Sequence, residues 1–416
     1  MQRYKILSIF LILLFFTAAS AGFIYDNALK NEKGRSKLIP EKFRSAGFYS
    51  TPRNTQPRFA DDRILVKFKP KVSEQSKIEA VQATNSQILK RISQFDIFLI
   101  LIPQGTPVEE MVYAYERNPD VEYAEPDYRT RITVTPNDTL FNYQYSLNNK
   151  GQAIGIPGSP QGKSSADIKA TAGWEETTGL EEVIIAIVDT GVDLKHPDLI
   201  NKLYSHGYDF VNDDDEADDD HGHGTHVAGT AAAETNNNEG IAGVAWNCKI
   251  LPIKVMDAQG EGYYSWMIAG IDYAVQQGAD VINLSLGGDA DSPNLKNIIK
   301  AAFEKNIVIV ASAGNENIPV LYPAAYDDYC LAVAATDYDD LRPDWSNFGP
   351  EVDVAAPGVR ILSCVPTWFW GPGSLPYAFS TGTSMSTPHV TGLVALIKGI
   401  KEWLTATDIM LSLIHI

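Results

Sequence analysis

A chain of 416 residues with 44% hydrophobic and 21% charged side chains holds enough apolar material for two or three compact units, which excludes wholesale disorder. Lys+Arg 34 against Asp+Glu 52 leaves a net charge of -18; so acidic a surface lacks the basic footprint that nucleic-acid binding requires. Only three cysteines, Cys248, Cys330 and Cys364, are present, too few and too odd a number for a disulfide scaffold.

Residues 1–21 combine Arg3 and Lys5, an apolar run Ile6–Phe16, and the small-x-small end Ala19-Ser20-Ala21. That is the pattern of a secretory signal peptide. The run is too short to span a bilayer comfortably, so the expectation is an extracellular protein with no stable membrane insertion. Residues 22–61 are polar and irregular and read as a linker. A small unit follows at 62–130. Arg63–Phe68 alternates like a strand, Ser73–Thr84 is helical in pattern, Phe95–Ile102 is a second strand, Val108–Arg117 a second helix, and Val121–Pro126 an extended end. Strands and helices alternating over so short a span predict a small α+β sheet with two helices on one face.

Residues 131–164 have weak periodicity and read as an N-terminal arm, with Tyr143, Tyr145 and Leu147 available for packing. From 165 to 416 the pattern changes. Continuous apolar runs occur at Val183–Val188, Ile250–Val255, Val281–Leu286, Ile307–Ala311 and Leu331–Ala335, as expected for strands buried on both faces. Helical patterns lie between them at His226–Ala233, Trp266–Gln277 and Leu295–Lys305. The fold class is therefore α/β, a doubly wound and mainly parallel sheet with helices on both sides. Cys248 and Cys330 adjoin the apolar runs and are expected as buried free thiols.

Polar residues at the C-terminal ends of such strands tend to form the site. Asp189 follows the run 183–188. His223 stands in His221-Gly222-His223-Gly224-Thr225-His226, before a helix. Ser384 stands in Gly382-Thr383-Ser384-Met385-Ser386-Thr387-Pro388, before the last helical pattern. A serine hydroxyl needs a base to become a nucleophile, and histidine serves near neutral pH. A carboxylate must then hold the imidazole tautomer. His221 and His226 compete with His223 for the base on sequence alone, and each of the three stations has a bland reading as a turn or cap residue.

Asp189-Thr190-Gly191, His223-Gly224-Thr225-His226-Val227-Ala228-Gly229 and Gly382-Thr383-Ser384-Met385 together resemble the three signatures of the subtilisin-like serine proteases, over about residues 165–400. The resemblance implies Asp189 as orienting carboxylate, His223 as general base and Ser384 as nucleophile, leaving His226 and His389 structural. It implies Asn315, after the run 307–311, as donor to the oxyanion with the Ser384 backbone N–H. Ser285, Leu286 and Gly287 resemble the segment that pairs with substrate as an added strand, and with Ala313 and Gly314 would line an apolar primary pocket with Glu316 at its rim. Residues 62–130 resemble the family's inhibitory prodomain, an intramolecular partner released by self-cleavage within 126–135. Structural Ca2+ is implied at Asp198 with Asn237 or Asn238, and the acidic stretch 212–220 supplies a second candidate through Asp213, Asp215 and Asp219. Two departures stand out. Ser386 replaces the usual alanine, and the chain ends in Leu411–Ile416 sooner than family domains do, which reads as a truncation with an exposed apolar tail. The expectation is a secreted, monomeric, calcium-supported endopeptidase acting on proteins and peptides with a broad apolar preference. A binding protein on an inactivated version of the fold would need a lost member of the three stations, and an esterase would need a Gly-x-Ser-x-Gly elbow that Ser384 lacks.

Overall fold

The computed structural model describes residues 59–92, 95–128, 134–155, 159–369, 374–401 and 403–414. The signal peptide read at 1–21, nearly all of the linker, and positions 129–133 of the expected processing stretch lie outside the described residues. Two compact units divide the chain near residue 132.

The N-terminal unit contains β1 (Phe59–Phe68), α1 (Glu74–Ala83), β2 (Gln87–Ile92), β3 (Ile97–Leu101), α2 (Val108–Glu116) and β4 (Val121–Tyr128). Its four strands run antiparallel in the order β2-β3-β1-β4. Alternation decides which face is covered: Ile64, Val66 and Phe68 are buried, as are Phe98 and Ile100 across from them. Both helices close over that face. α1 starts where the Ser73 hydroxyl accepts from the Ser76 N–H, satisfying one of the orphan donors of a helix start. α2 buries Val108, Met111 and Tyr115, a stripe at helical spacing. β2 was not expected from the pattern. Its residues are mostly exposed, Leu89 and Ile92 among them, so edge pairing with β3 rather than apolar alternation makes it a strand.

The C-terminal unit is built on β5 (Ile184–Asp189), β6 (Tyr208–Asp209), α3 (His223–Ala232), β7 (Lys249–Lys254), α4 (Tyr264–Gln276), β8 (Val281–Leu284), α5 (Pro293–Glu304), β9 (Val308–Ser312), β10 (Cys330–Thr336), β11 (Val354–Pro357), β12 (Ile361–Cys364), β13 (Tyr377–Ser380), α6 (Thr383–Ile400) and α7 (Ala406–Ile414). Seven strands form one parallel sheet, β11-β10-β9-β8-β5-β7-β6. Ile185 and Ile187 point to one side, where Val227, Ala228 and Ala231 of α3 and Leu393, Val394 and Ile397 of α6 pack. Ile184, Ala186 and Val188 point to the other, against Met267 and Ile271 of α4 and Leu295 and Ile299 of α5. A strand covered on both faces must be apolar throughout, which is why these runs were continuous.

The chain lays down β5, then β6 and β7 on one side, and crosses to place β8 on the other. The direction reverses at β5, and the crevice outside such a reversal is where doubly wound sheets hold their ligands. Asp189 is the last residue of β5. All three cysteines are buried and unpaired. The expected exposed tail is corrected in part: α7 turns Ala406, Ile409, Met410 and Leu413 into the core, leaving Leu411 and Ile414 outward.

Candidate active site

Asp189 is fully buried, and its Oδ1 accepts from the Thr190 N–H at 2.8 Å. The same oxygen faces His223 Nδ1 at 2.7 Å. An ionised carboxylate can only accept, so Nδ1 carries the proton and Nε2 is left as the basic nitrogen. Glycine makes this approach possible. A Cβ on Gly224 would stand 2.1 Å from the Gly191 carbonyl oxygen and 3.1 Å from Asp189 Cβ, so any larger residue would push the first turn of α3 away. Burial disfavours the imidazolium form of His223, but the Asp189 charge, the hydrogen bond to it, and Asp219 behind outweigh that cost, and the His223 pKa is raised above the usual imidazole value.

Asp219 was expected among the ligands of a cation. It is instead a hub of the helix start. Oδ1 accepts from the Thr190 hydroxyl and the His221 and Gly222 N–H groups. Oδ2 accepts from the Thr225 N–H and hydroxyl. Five donors use up both oxygens, and the negative charge sits at a helix N-terminus, where it is stabilised. Thr190 closes the loop by accepting from the Gly224 N–H at 2.9 Å. Of the remaining histidines, His221 packs its ring beside Gly260. His226 Nε2 donates to the Ile361 carbonyl at 3.0 Å, and His389 Nδ1 to the Met385 carbonyl at 2.9 Å. Among the described histidines, only His223 meets the Asp189 carboxylate.

Ser384 is the second residue of α6. Its hydroxyl donates to the Ser285 carbonyl at 3.0 Å, and the Ser285 hydroxyl donates back to the Ser384 carbonyl at 2.9 Å. The second bond has a sequence cause. Pro388 lies inside α6 and has no N–H for the carbonyl four residues before it, so Ser384 C=O is free to receive Ser285. Ser285 follows β8, the strand beside β5, and neighbouring strands lie about 4.8 Å apart. Base and hydroxyl therefore stand at adjacent strand ends. The described residues contain the Asp189–His223 link, while the Ser384 hydroxyl is turned to Ser285 rather than to His223 Nε2.

Asn315 leaves β9 just after Gly314. Its Oδ1 accepts from the Thr383 N–H at 2.8 Å and the Thr383 hydroxyl at 3.0 Å. A backbone N–H can only donate, so the oxygen is assigned and Nδ2 points away from Thr383. Its amide lies against Gly382, where a Cβ would meet it at 3.7 Å. The Ser384 N–H, second in α6, is one of the orphan donors of a helix start. Two donors thus flank the serine.

The expected binding segment divides by atom. Leu286 turns its side chain into the core beneath α5, so it offers substrate only backbone. Gly287 is exposed, and its N–H and C=O have no partner among the described residues, as an edge awaiting a strand would require. Gly288 pairs with Tyr322 in both directions, at 2.8 and 2.9 Å, which holds that edge in place. Ala313 is buried, and Gly314 has φ +105°, a conformation open to glycine. Glu316 is exposed, and its Oε2 accepts from the Asn315 N–H at 2.7 Å.

At Asp198, Oδ1 accepts from Asn237 Nδ2 at 2.9 Å, and Oδ2 from the Ile241 N–H and the Tyr377 hydroxyl. Asn238 instead turns its N–H to the Asn137 side chain at 2.9 Å. A second buried carboxylate, Asp138, was missed in the sequence. It accepts from the Asn236 N–H, and burial together with the Asp198 charge raises its pKa. Two buried carboxylates supply hard oxygen ligands of the kind that Ca2+ takes. A Cβ on Gly240 would lie 2.0 Å from Asp198 Oδ2, so glycine keeps that cradle open. The acidic stretch makes no such cage. Asp213 is held by the Tyr208 hydroxyl at 2.7 Å, no bond brings Asp215 to it, and no three acidic, histidine or cysteine side chains converge among the described residues.

Comparison with known proteins finds matches to both units of the chain. Residues 181–415 match the model of the subtilase family, and residues 50–127 that of the fervidolysin N-terminal prodomain. The chain is 39% identical over 341 residues to a thermophilic serine proteinase of Bacillus sp. (strain AK1), covering 82% of this chain and 78% of that one. It is 46% identical over 231 residues to thermitase of Thermoactinomyces vulgaris, covering 55% and 79%. Among solved structures, a protease of Pseudoalteromonas arctica matches at TM-score 0.57 and 33% identity over 67% of this chain and 91% of that one. An aspartate ending the central strand, a histidine bound to it at a glycine-opened helix start, and a serine opening the buried helix α6 are thus found in a chain that belongs to the subtilase family of serine proteases, with an N-terminal prodomain.

Proposed function

We propose that this protein is a secreted endopeptidase, made as a zymogen that processes itself, and that it hydrolyses peptide bonds through an acyl-enzyme on Ser384. The observation that carries the reading is the 2.7 Å bond between Asp189 and His223 beside a serine held at the neighbouring strand end. Substrate adds as a strand along Ser285, the Leu286 backbone and Gly287. Ser384 then rotates its hydroxyl from the Ser285 carbonyl to His223 Nε2. His223 takes the proton as Oγ bonds to the scissile carbon, and the carbonyl electron pair moves onto oxygen. Asn315 Nδ2 and the Ser384 N–H receive that oxyanion. Collapse breaks the C–N bond while His223 returns the proton to the leaving amine. Water, deprotonated by the same nitrogen, bonds to the acyl carbon, the Oγ–C bond breaks, and His223 returns the proton to Ser384 as the acid leaves. Small residues Ala313 and Gly314 leave room for a broad, apolar side chain before the cut.

Casein incubated with the full chain is expected to be cleaved, with cleavage stopped by a serine-directed phosphonate. Ser384→Ala should remove the activity and leave the prodomain attached on N-terminal sequencing. Casein left intact by the wild type would overturn the reading, and a prodomain trimmed at its usual place in Ser384→Ala would assign the cut to another protease. The chain acts as a monomer, with residues 62–130 as its own inhibitor until cleavage within 126–135. Export rests on the signal-peptide pattern at 1–21.

Ca2+ held by Asp198, Asp138 and Asn237 would neutralise two buried carboxylates that otherwise repel. At a hundredfold excess over Kd a bound ion adds about 2.7 kcal/mol, so chelation should lower Tm by roughly 5–10 °C in a domain of this size. An unmoved Tm removes the ion from the account.

A further inference from the structure

Asn315 is exposed, so packing does not hold it in place. Its neighbours are fastened to one buried side chain from a distant loop. Asn347 is fully buried. Its Oδ1 accepts from the Glu316 N–H at 2.9 Å and the Ile318 N–H at 3.1 Å. Its Nδ2 faces the Ala313 carbonyl at 3.0 Å, Glu316 Oε2 at 3.2 Å and the Pro319 carbonyl at 3.3 Å. Because two backbone N–H groups can only donate, the orientation of this amide is determined. Its backbone N–H also donates to the Gly314 carbonyl at 2.9 Å. A Cβ on Gly314 would lie 2.3 Å from Asn347 Nδ2, so the amide rests directly against the turn. Through Glu316, whose Oε2 also takes the Asn315 N–H at 2.7 Å, the network grips Asn315 from both sides along the chain.

We infer that Asn347 is a positioning residue for the oxyanion donor: it holds the turn 313–316 so that Asn315 Nδ2 stands where the developing charge will be. This rests on the oxyanion role proposed above for Asn315. A donor aimed at the transition state must be held before reaction, because reorganising it costs rate rather than ground-state binding.

The test is a double-mutant cycle on the active-site-titrated full chain. Asn347→Ala is expected to lower kcat by about 10- to 100-fold with KM changed less than about threefold. In an Asn315→Ala background the same substitution should lower kcat by less than about threefold, since the donor it serves is gone. A peptide aldehyde, whose adduct carries the oxyanion, should bind more weakly to Asn347→Ala, while the unreactive amide of the same peptide binds as to wild type. Glu316→Ala, at an exposed site where folding is not at risk, should show the same pattern at about fivefold, the size of one hydrogen bond. Additive losses in the cycle, or equal losses for aldehyde and amide, would overturn the inference. An Asn315→Ala enzyme of undiminished kcat overturns the oxyanion reading and the inference together. A diminished one beside unaffected Asn347→Ala and Glu316→Ala enzymes overturns the inference alone.

Discussion

Asp189→Asn is expected to lower kcat by about 10⁴ while the fold is retained. The substituted amide can still accept from the Thr190 N–H through its oxygen, as Asp189 does now. That oxygen position also faces His223 Nδ1, so the contact survives, but the neutral amide lacks the charge that stabilises the imidazolium as it forms. The pH profile gives a second reading. Burial alone would lower the His223 pKa, and the Asp189 charge and hydrogen bond raise it above the ordinary value. Activity in the wild type should therefore rise with pH through that elevated pKa as neutral base forms. Without the carboxylate the pKa falls, so the small residual activity of Asp189→Asn should persist to lower pH. A variant within tenfold of wild type, or one whose acidic limb does not move, would show that Asp189 does not orient the base.

The second large effect is on stability in acid. His226 on α3 and His389 on α6 are both buried, and desolvation lowers each pKa to about 4. His226 Nδ1 and His389 Nε2 have no hydrogen-bond partner among the described residues, so neither ring has an acceptor ready for a second proton. The unfolded chain protonates these histidines near pH 6.5. A folded pKa depressed below the unfolded one means that the stability is present above about 6.5 and is lost as pH falls toward 4. By pH 5 each histidine should remove about 2 kcal/mol, and the pair a large part of the about 5–15 kcal/mol typical of a domain. Urea midpoints measured from pH 7 to pH 4.5 should fall steeply for wild type. They should fall less steeply for His226→Gln and His389→Gln, even though each variant starts less stable. Equal slopes in all three would mean that the imidazoles are already solvated or protonated in the fold. Because α3 carries the base and α6 the nucleophile, acid should abolish activity by separating them.

The five apolar runs of the large unit became five neighbouring strands, each within two residues of its expected bounds. Runs without alternation were informative because both faces of that sheet are covered. β6, β11, β12 and β13 were not foreseen. They are two to four residues long, too short for any period to emerge, and pairing with a neighbour makes them strands. Glu316 shows the same limit at a single side chain. Its place after Gly314-Asn315 suggests a charge at the pocket rim, and only the fold adds that its Oε2 holds the Asn315 N–H.

Residues close together in the chain already specified the chemistry available here. A strand ending in aspartate, a histidine among glycines, and a serine before a buried helix are local patterns, set by the backbone freedom and side-chain types of a few adjacent positions. Three-dimensional packing alone decided which atoms meet: that His223 and not His221 faces the carboxylate, that Ser384 rests on Ser285, and that Asn347 reaches the turn around Asn315. A hydrogen bond depends on the direction and distance of two groups to within a few tenths of an ångström. When those groups lie 31 to 99 positions apart, nothing short of the assembled sheet and its helices determines either.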